Sequence, residues 1–574
     1  MKLLWAVLLL GSAPRLLAQD SIVVIDPDAP ADTSDRAMPS ELIRRLITIY
    51  NDPKTTRLWG DVDLPAESRL TATVAVYRGS VRIAGRLDGS LTVINGSVLL
   101  LPGGSVTGDV LVVGGRISVG EGATIGGARQ ELWDAVPVVR SPEGTLVVRE
   151  RRRLPNLTAA SRSFESGPLR ATVLLGTEGT YNRVEGLPIV FGPGLQYRFN
   201  ADVSARLDIR AILRSAADED KLRDDFGYFA RAELRINGSK GIGLGARAYS
   251  TVSPIEDQPL SRNEVGWSAF LFQRDQRDYF LRKGVGTYLY TYPRRSLRLE
   301  LSVRYDKEQS VRANDPWSLF RNSDRWRPNP LVDDGHYITS GLSVEFDSRN
   351  DQDFTTSGWF VHTDFERSWS NDVAPVLLPV SVRSPIPTGG NFQFNTLKFD
   401  IRRYNRIGSN LRLNARVMGN GHAGGDPLPI QRRVSLGGSD LMPGYAFRAF
   451  RCEPAGGADP ALPALCDRMM AAQVDVRTRV DLGLGYRYHD RQRQEVDRFI
   501  GIDQVDLVFF VDAGKSWLSG NGPGKVPNGK IPSFNEWKAD LGVGLDAGGL
   551  SVFLARALTD GQPVRLVLRL ERRF

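Results

Sequence analysis

The C-terminal stretch VRLVLRLERRF, Val564 to Phe574, decides how the rest of the chain is read. In an extended strand side chains alternate between two faces. Val564, Leu566, Leu568, Leu570 and Phe574 then share one side, and Arg565, Arg569, Glu571 and Arg573 share the other. A soluble sheet also alternates, but its second face is seldom this ionic. A closed barrel in a membrane has this arrangement, with lipid outside and a polar interior. A terminal Phe574 would sit at the membrane interface.

The two faces recur upstream. Leu297, Leu299, Leu301, Val303 and Tyr305 alternate with Arg298, Glu300, Ser302 and Arg304, and Val474, Val476, Thr478, Val480 and Leu482 alternate with Asp475, Arg477, Arg479 and Asp481. Weaker copies lie at 205–213, 228–236, 397–401 and 411–417. The alternative is a large soluble β-sandwich, but a dry core cannot take one whole face of so many charged strands, because an unpaired buried charge costs several kcal/mol. The expected fold is all-β: a transmembrane antiparallel barrel of about sixteen strands over residues 168–574.

Lys and Arg number 74 against 66 Asp and Glu, a net charge of +8, with both signs interleaved along strands. That mixture suits a barrel interior and argues against a nucleic-acid surface, which gathers its cations in one patch. Residues 1–18 read as an export signal: Lys2, the apolar run Leu3 to Leu10, then small residues up to Ala18. The run is too short to span a bilayer as a helix, and no later stretch is long enough either. An exported chain of amphipathic strands is expected in the outer membrane of a Gram-negative-type cell.

Residues 19–68 form an N-terminal segment with one helix expected over Glu41 to Tyr50, with Ser40 as N-cap and Leu42, Leu46 and Ile49 on one side. Over residues 69–134 short apolar pairs alternate with glycines at a period of about 17 to 19 residues. Val81 and Ile83 recur as Val98 and Leu100 and again as Ile117 and Val119, with turns at Asp88-Gly89, Asn95-Gly96, Gly103-Gly104 and Gly114-Gly115. This predicts a periplasmic β-solenoid of two to three coils. GSVRIAGRLDGSLTV and GSVTGDVLVVGGRISVGEGATIGG resemble the bactofilin family, whose β-helices stack end to end; the resemblance implies self-association. Residues 135–167 read as a linker carrying the cationic run Arg149, Arg151, Arg152 and Arg153.

Four stretches of the barrel region, in this order, resemble the bacterial surface antigen family of outer-membrane assembly and translocation barrels. They are VEFDSRNDQDFTTSGWF (344–360), LGGSDLMPGYAFRAF (436–450), LVFFVDAGKSW (507–517) and LGVGLDAGGLSVFLARAL (541–558). The resemblance implies that the second stretch is a loop folded back into the barrel, where Gly437, Gly438 and Gly444 permit a tight reversal and Tyr445 anchors it. In the family an Arg before the Gly-aromatic pair reaches an acidic residue on the wall. Pro443 holds that position here and Asp512 is the wall residue; the alternatives are that Arg448 or Arg451 pairs with Asp512 instead, or that LMPGY is a rigid turn and Asp512 one more solvated interior charge. The periplasmic α/β modules usual in the family are replaced by the solenoid.

Cys452 and Cys466, the two cysteines, stand close together in a loop-like stretch, and a disulfide is expected, worth ~3 kcal/mol in the chain-entropy model. The four histidines are scattered, so no metal site is expected. No Ser, His and acid cluster or phosphate-cradling loop points to an enzyme or a cofactor. The expected function is insertion or translocation of client proteins or lipids at the outer membrane through a weak seam between the first and last strands, with membrane lipid as surroundings. The alternative is a passive channel, or a structural barrel that anchors a periplasmic scaffold.

Overall fold

The computed structural model describes residues 40–132, 136, 138–141, 144–148, 159–177, 181–200, 202–216, 226–236, 241–256, 262–294, 296–321, 325–349, 355, 357–407, 411–452, 463–490, 496–547, 550–570 and 572–573. The export signal, Arg149, Arg151, Arg152, Arg153 and Phe574 lie outside them.

The N-terminal part is a three-sided solenoid built from parallel ladders. One ladder stacks Thr55–Trp59, Thr73–Tyr77, Leu91–Ile94, Val110–Val113 and Arg129–Leu132; the other two stack four short strands each. Val74 and Val110 both pair with Leu91, which lies 17 residues after the first and 19 before the second. Val74, Val76, Val81, Ile83, Leu91, Val93, Val98, Leu100, Val110 and Val112 fill its interior without a polar atom. At one corner glycines stack: a Cβ on Gly96 would lie 2.0 Å from the Gly79 carbonyl oxygen, and one on Gly115 would lie 1.9 Å from that of Gly96. Glycine is required there because successive backbones touch.

The solenoid begins at Thr55, upstream of the expected start at residue 69, and has about four coils where two to three were expected. The first and last coils have a neighbour on one side only, so they carry polar residues that blur the apolar repeat. Helix α1 (Ser40–Asn51) buries Ile43, Leu46 and Tyr50 on the outer face of the five-stranded ladder, against Ala75, Tyr77, Ile94, Leu111 and Val113. A hairpin, Val138–Arg140 with Leu146–Val148, completes that second layer from within the expected linker. Two amides hold it: Asn95 accepts from Val136 N and donates to its carbonyl, 2.8 Å each, and Asn51 does the same for Leu146 at 2.7 and 2.8 Å.

The C-terminal part is one sheet of eighteen strands in chain order, from Ala159–Ser166 to Arg565–Arg569. One of these, Lys525–Val526, is a two-residue parallel flap on Leu518 and Ser519, so seventeen run antiparallel. The alternation expected of the last strand is present: Leu566 and Leu568 are 72% and 63% exposed to the outside, whereas Arg569 is 2% exposed. Leu207, Ile209, Leu301, Val303, Phe509 and Val511 extend this apolar exterior.

The inward charges are paired rather than bathed in water. Arg304 meets Asp306 at 3.1 Å and Glu366 at 2.8 Å, Arg416 meets Asp400 at 2.8 Å, and Arg477 meets Asp475 at 2.9 Å and Asp546 at 2.8 Å. Tyr288 and Tyr290 both donate to Glu233, at 2.6 and 2.9 Å. At one end of the sheet Ser166 is joined to Leu169, Arg198 to Val203 and Arg294 to Leu297 by short connections; at the other, long connections join Pro254 to Tyr279, Ser310 to Gly335, Ser370 to Phe392 and Gly425 to Arg468. The solenoid touches the end with the short connections, where Arg406 lies 3.7 Å from Asp61 and 3.5 Å from the Arg78 carbonyl.

Candidate functional site

The sequence-predicted inward loop, Leu436 to Phe450, lies in the connection between Gly425 and Arg468 and folds as a compact tongue. Leu436 and Phe450 exchange backbone hydrogen bonds at 3.0 Å each, and Met442 N donates to the Gly438 carbonyl at 2.9 Å. Gly437 and Gly438 have φ of +113° and +110°, a conformation that a side chain disfavours. Leu436, Leu441, Met442 and Tyr445 pack on the wall residues Met418, Met469, Ala471 and Ala557. Cys452 and Cys466 are joined by a disulfide at the base of the tongue.

The tip rests on the wall through Gly444. Its N–H donates to the Asp540 carboxylate at 2.5 Å, and a Cβ there would lie 2.7 Å from Ala557 N. Tyr445 reaches the same strands: its hydroxyl lies 3.2 Å from the Ala539 carbonyl, to which it donates, and 2.6 Å from Thr559 Oγ1. Pro443 is buried beside them.

Arg448 does not meet Asp512, and Asp512 is not a solvated charge either, since Arg573 pairs with it. Arg448 adopts a left-handed backbone, φ 52°, and its guanidinium crosses to the connection 255–278, where Nε meets Glu256 at 2.7 Å and Nη1 meets Asp278 at 2.5 Å. Asp278 also takes Arg183 at 2.7 Å and Arg327 at 2.6 Å, and Asp275 takes Arg183 at 3.4 Å. Three guanidiniums thus face three carboxylates in a buried cluster. Burial alone pushes the Asp278 carboxyl up, but Arg448, Arg327 and Arg183 together outweigh it and hold it down at about 2.

Asp512 is fully buried, stands directly opposite Asp540 on the neighbouring strand, and is paired with Arg573. The Arg573 guanidinium lies 3.9 Å from the Phe510 ring centroid. The cation missing at Pro443 is therefore supplied to Asp512 from beyond the last strand. Arg569, in that strand, is held by Glu264 of helix α2 (Arg262–Phe272) at 2.7 Å and by Asp440 of the tongue at 3.0 Å. The Leu570 N–H also donates to Glu264, at 2.7 Å. The side chains of Leu568 and Leu570 point outward, and Leu570 joins this mooring through its backbone alone.

Tongue, helix α2 and C-terminal strand thus form one linked set at the sheet's last edge. Sequence reasoning missed Glu256, Glu264, Asp278, Asp440 and Asp540. The only signal for them was the density of acidic residues around 256–278 and the inward parity of Asp540 in its strand.

The stretch 233–548 matches the model of the Omp85 superfamily domain. Among solved structures the chain is similar to BamA from Haemophilus ducreyi lacking POTRA domains 1–3, at 14% identity, covering 72% of this chain and 70% of that one with a TM-score of 0.40. It is also similar to CdiB from Escherichia coli, at 9% identity, covering 71% and 62% with a TM-score of 0.28, and to CdiB from Acinetobacter baumannii, at 11%, covering 77% and 74% with a TM-score of 0.30. No curated protein matches the sequence. The superfamily match spans more than half of the 574 residues, and the protein belongs to the Omp85 superfamily.

Proposed function

We propose that the protein assists the insertion or translocation of other proteins, or of lipids, at the outer membrane, with its solenoid on the periplasmic side. The observation that carries this reading is the last strand. Arg565–Arg569 is five residues long and, among the described residues, pairs only with Ser551–Ala557. An edge with free backbone groups is costly in hydrocarbon and templates another strand. The tongue and helix α2 hold this edge from within through Arg569, so its position is coupled to the loop. The chemistry is strand pairing and the reading assigns no catalytic step, no metal and no cofactor. Lipid contact and client binding belong to the outward face and the edge; stacking of solenoids through their end coils is a further proposal.

The test is depletion followed by an inventory of outer-membrane proteins, with rescue by a variant in which a crosslink joins the last strand to Leu169–Thr177. Loss of many barrels on depletion, or of one exported product, supports the reading. Full rescue by the locked form refutes the seam. The contact of Arg406 with Asp61 favours a second reading, a structural barrel that anchors the solenoid. An unchanged outer-membrane inventory together with a quiet, non-conducting barrel would support that one.

A further inference from the structure

We propose that the aromatic patch formed by helix α2 and the connection between Ser310 and Gly335 is a binding site for a phosphate-bearing lipid of the outer leaflet. This rests on the reading of the protein as an outer-membrane barrel with its solenoid on the periplasmic side, which puts the long connections at the outer face.

Backbone pairing builds the patch. The Leu319 N–H donates to the Phe270 carbonyl at 2.8 Å and the Phe320 N–H to that of Leu271 at 3.0 Å, so the connection lies along the C-terminal end of the helix. The Tyr181 hydroxyl donates to the Trp317 carbonyl and brings in the connection that follows Leu169–Thr177. Rings then meet edge to face around Phe270: Tyr181 at 5.4 Å, Trp317 at 5.8 Å and Trp267 at 6.2 Å between centroids. Phe272 and Phe320 stack at 5.8 Å. The residues behind that pair, Gln273 and Arg321, both take the left-handed backbone, with φ of 57° and 60°. A side chain disfavours that conformation, so the turns that hold the stack are costly and the surrounding structure enforces them.

These rings do not form a core. Trp267 and Phe320 are 54% and 53% exposed, and Phe272, Trp317 and Leu319 are exposed as well. Soluble surfaces rarely show so many large apolar side chains side by side. The tryptophans indicate what covers them. Buried Trp326 donates its indole N–H to the Pro316 carbonyl at 2.8 Å, whereas those of Trp267 and Trp317 meet no acceptor among the described residues. A ring with an apolar body and an N–H left for water or a head group suits the boundary of a bilayer.

Charge names the ligand. Arg274, Arg312, Arg321 and Arg325 are exposed on the same two connections, and none has an ion pair or a side-chain hydrogen bond among the described residues. Asp315 is the exposed acid there. The contrast is with Arg183, Arg327 and Arg448 on the neighbouring cluster, all held by Asp278. Arg321 follows Phe320 directly and Arg274 stands two residues after Phe272, so guanidiniums flank the stacked pair. A guanidinium grips phosphate oxygens through its fork of N–H donors. Uncommitted cations beside exposed rings therefore fit a molecule with a phosphate and acyl chains, and basic sites of this kind recognise lipid head groups. A lipid seated there touches elements tied to both ends of the sheet, since Tyr181 follows Leu169–Thr177 and Glu264 of the helix holds Leu570.

The probe is phosphatidylglycerol brominated on its acyl chains, added to the purified full-length protein in mixed micelles, with brominated phosphatidylcholine as its comparison. Bromine quenches indole fluorescence on contact. Stronger quenching by phosphatidylglycerol than by phosphatidylcholine is expected, and this excess should vanish in the triple variant Arg274→Gln, Arg321→Gln, Arg325→Gln and in the double variant Trp267→Phe, Trp317→Phe. Arg403→Gln, which removes the guanidinium stacked 5.0 Å from the Trp359 ring, should leave the excess as in wild type. Heat-modifiable migration on gels checks that each barrel is folded. Equal quenching by the two lipids in wild type, an excess that survives the triple variant, or an equal loss with Arg403→Gln overturns the proposal. So does release of the excess by inorganic phosphate at constant ionic strength, which would mark an anion site with no need of acyl chains. Quenching is read on isolated protein, so the site can stand even if depletion leaves the outer membrane unchanged, and the functional reading can stand if the site fails.

Discussion

The solenoid and the barrel both alternate with period two, yet what each turns inward is opposite. The solenoid encloses Val74, Val76, Leu91, Val93, Val110 and Val112 with no polar atom among them, and its coils approach until glycine is the only residue that fits a corner. The barrel encloses Arg304, Asp306, Asp400, Arg416, Asp475 and Arg477, each with a charged partner. Alternation reveals that a strand has two faces; it does not say which is inside. A dry interior fails when a charge is added, and an ion-paired interior fails when one is removed.

Val93→Asp is the sharpest way to break the first half of that statement. Val93 has no exposed surface, and an unpaired carboxylate there costs several kcal/mol, a large part of the stability of a small domain. Each coil is stabilised by its neighbours, so the loss should spread along the stack. In the full-length protein, limited proteolysis should open residues 60–130 while heat-modifiable migration of the barrel stays as in wild type. A protease-resistant solenoid carrying this substitution would contradict a dry core.

Arg448→Ala tests the converse in the barrel. It strips Glu256 of its cation and leaves Asp278 with Arg183 and Arg327 alone. Removing one partner from a buried ionic cluster costs roughly 3–5 kcal/mol. The tongue should become protease-sensitive and the purified barrel should conduct ions, while Arg448→Lys should restore part of the closure. If the tongue stays protected, its apolar contacts with the wall suffice and the ionic mooring is secondary.

These two sites also mark how far the sequence could be read. The faces of Val564 to Phe574 were legible because strand alternation is local, and the solenoid because glycine and aliphatic residues repeat at fixed spacing. Its end coils were not, since a coil with one neighbour needs fewer apolar residues. The partners of Arg448 were not legible either. Glu256 and Asp278 lie 192 and 170 residues away, and many acidic residues could have stood opposite. Ala159–Ser166 was read as linker because Arg162, Ser163, Glu165 and Ser166 deny it an apolar face. The same feature sets it apart from the other barrel strands.

Gly444→Ala is a milder probe of the same loop. The added methyl would stand 2.7 Å from Ala557 N and from Asp540 Cβ, both fixed in the wall. The tip must lift by a fraction of an ångström, at a cost of about 1–3 kcal/mol, with the hydrogen bond to Asp540 strained. Partial loosening should show as broadened spectra of a spin label at Ala449, with the disulfide between Cys452 and Cys466 intact. A spectrum identical to wild type would mean that the tongue is not seated through Gly444.

Acid is the gentlest perturbation, and its direction follows from Asp278. Its carboxyl is held at about 2 against an ordinary 3.8, so the folded state binds its proton less readily than the unfolded state does. A depressed carboxyl contributes stability that is fully present above the ordinary value and is lost as pH falls through the folded one. From pH 8 to pH 5 the contribution of Asp278 should therefore stay constant. Between pH 4 and pH 2 the tongue should loosen at the Ala449 spin label, and Asp278→Asn should remove most of that acid step. The solenoid interior has no titrating group, so the packing of Val74, Leu91 and Val110 should pass through the same range unaltered. If Asp278→Asn leaves the step between pH 4 and pH 2 unchanged, a different group governs it, and the balance of three guanidiniums against three carboxylates is not what holds the tongue.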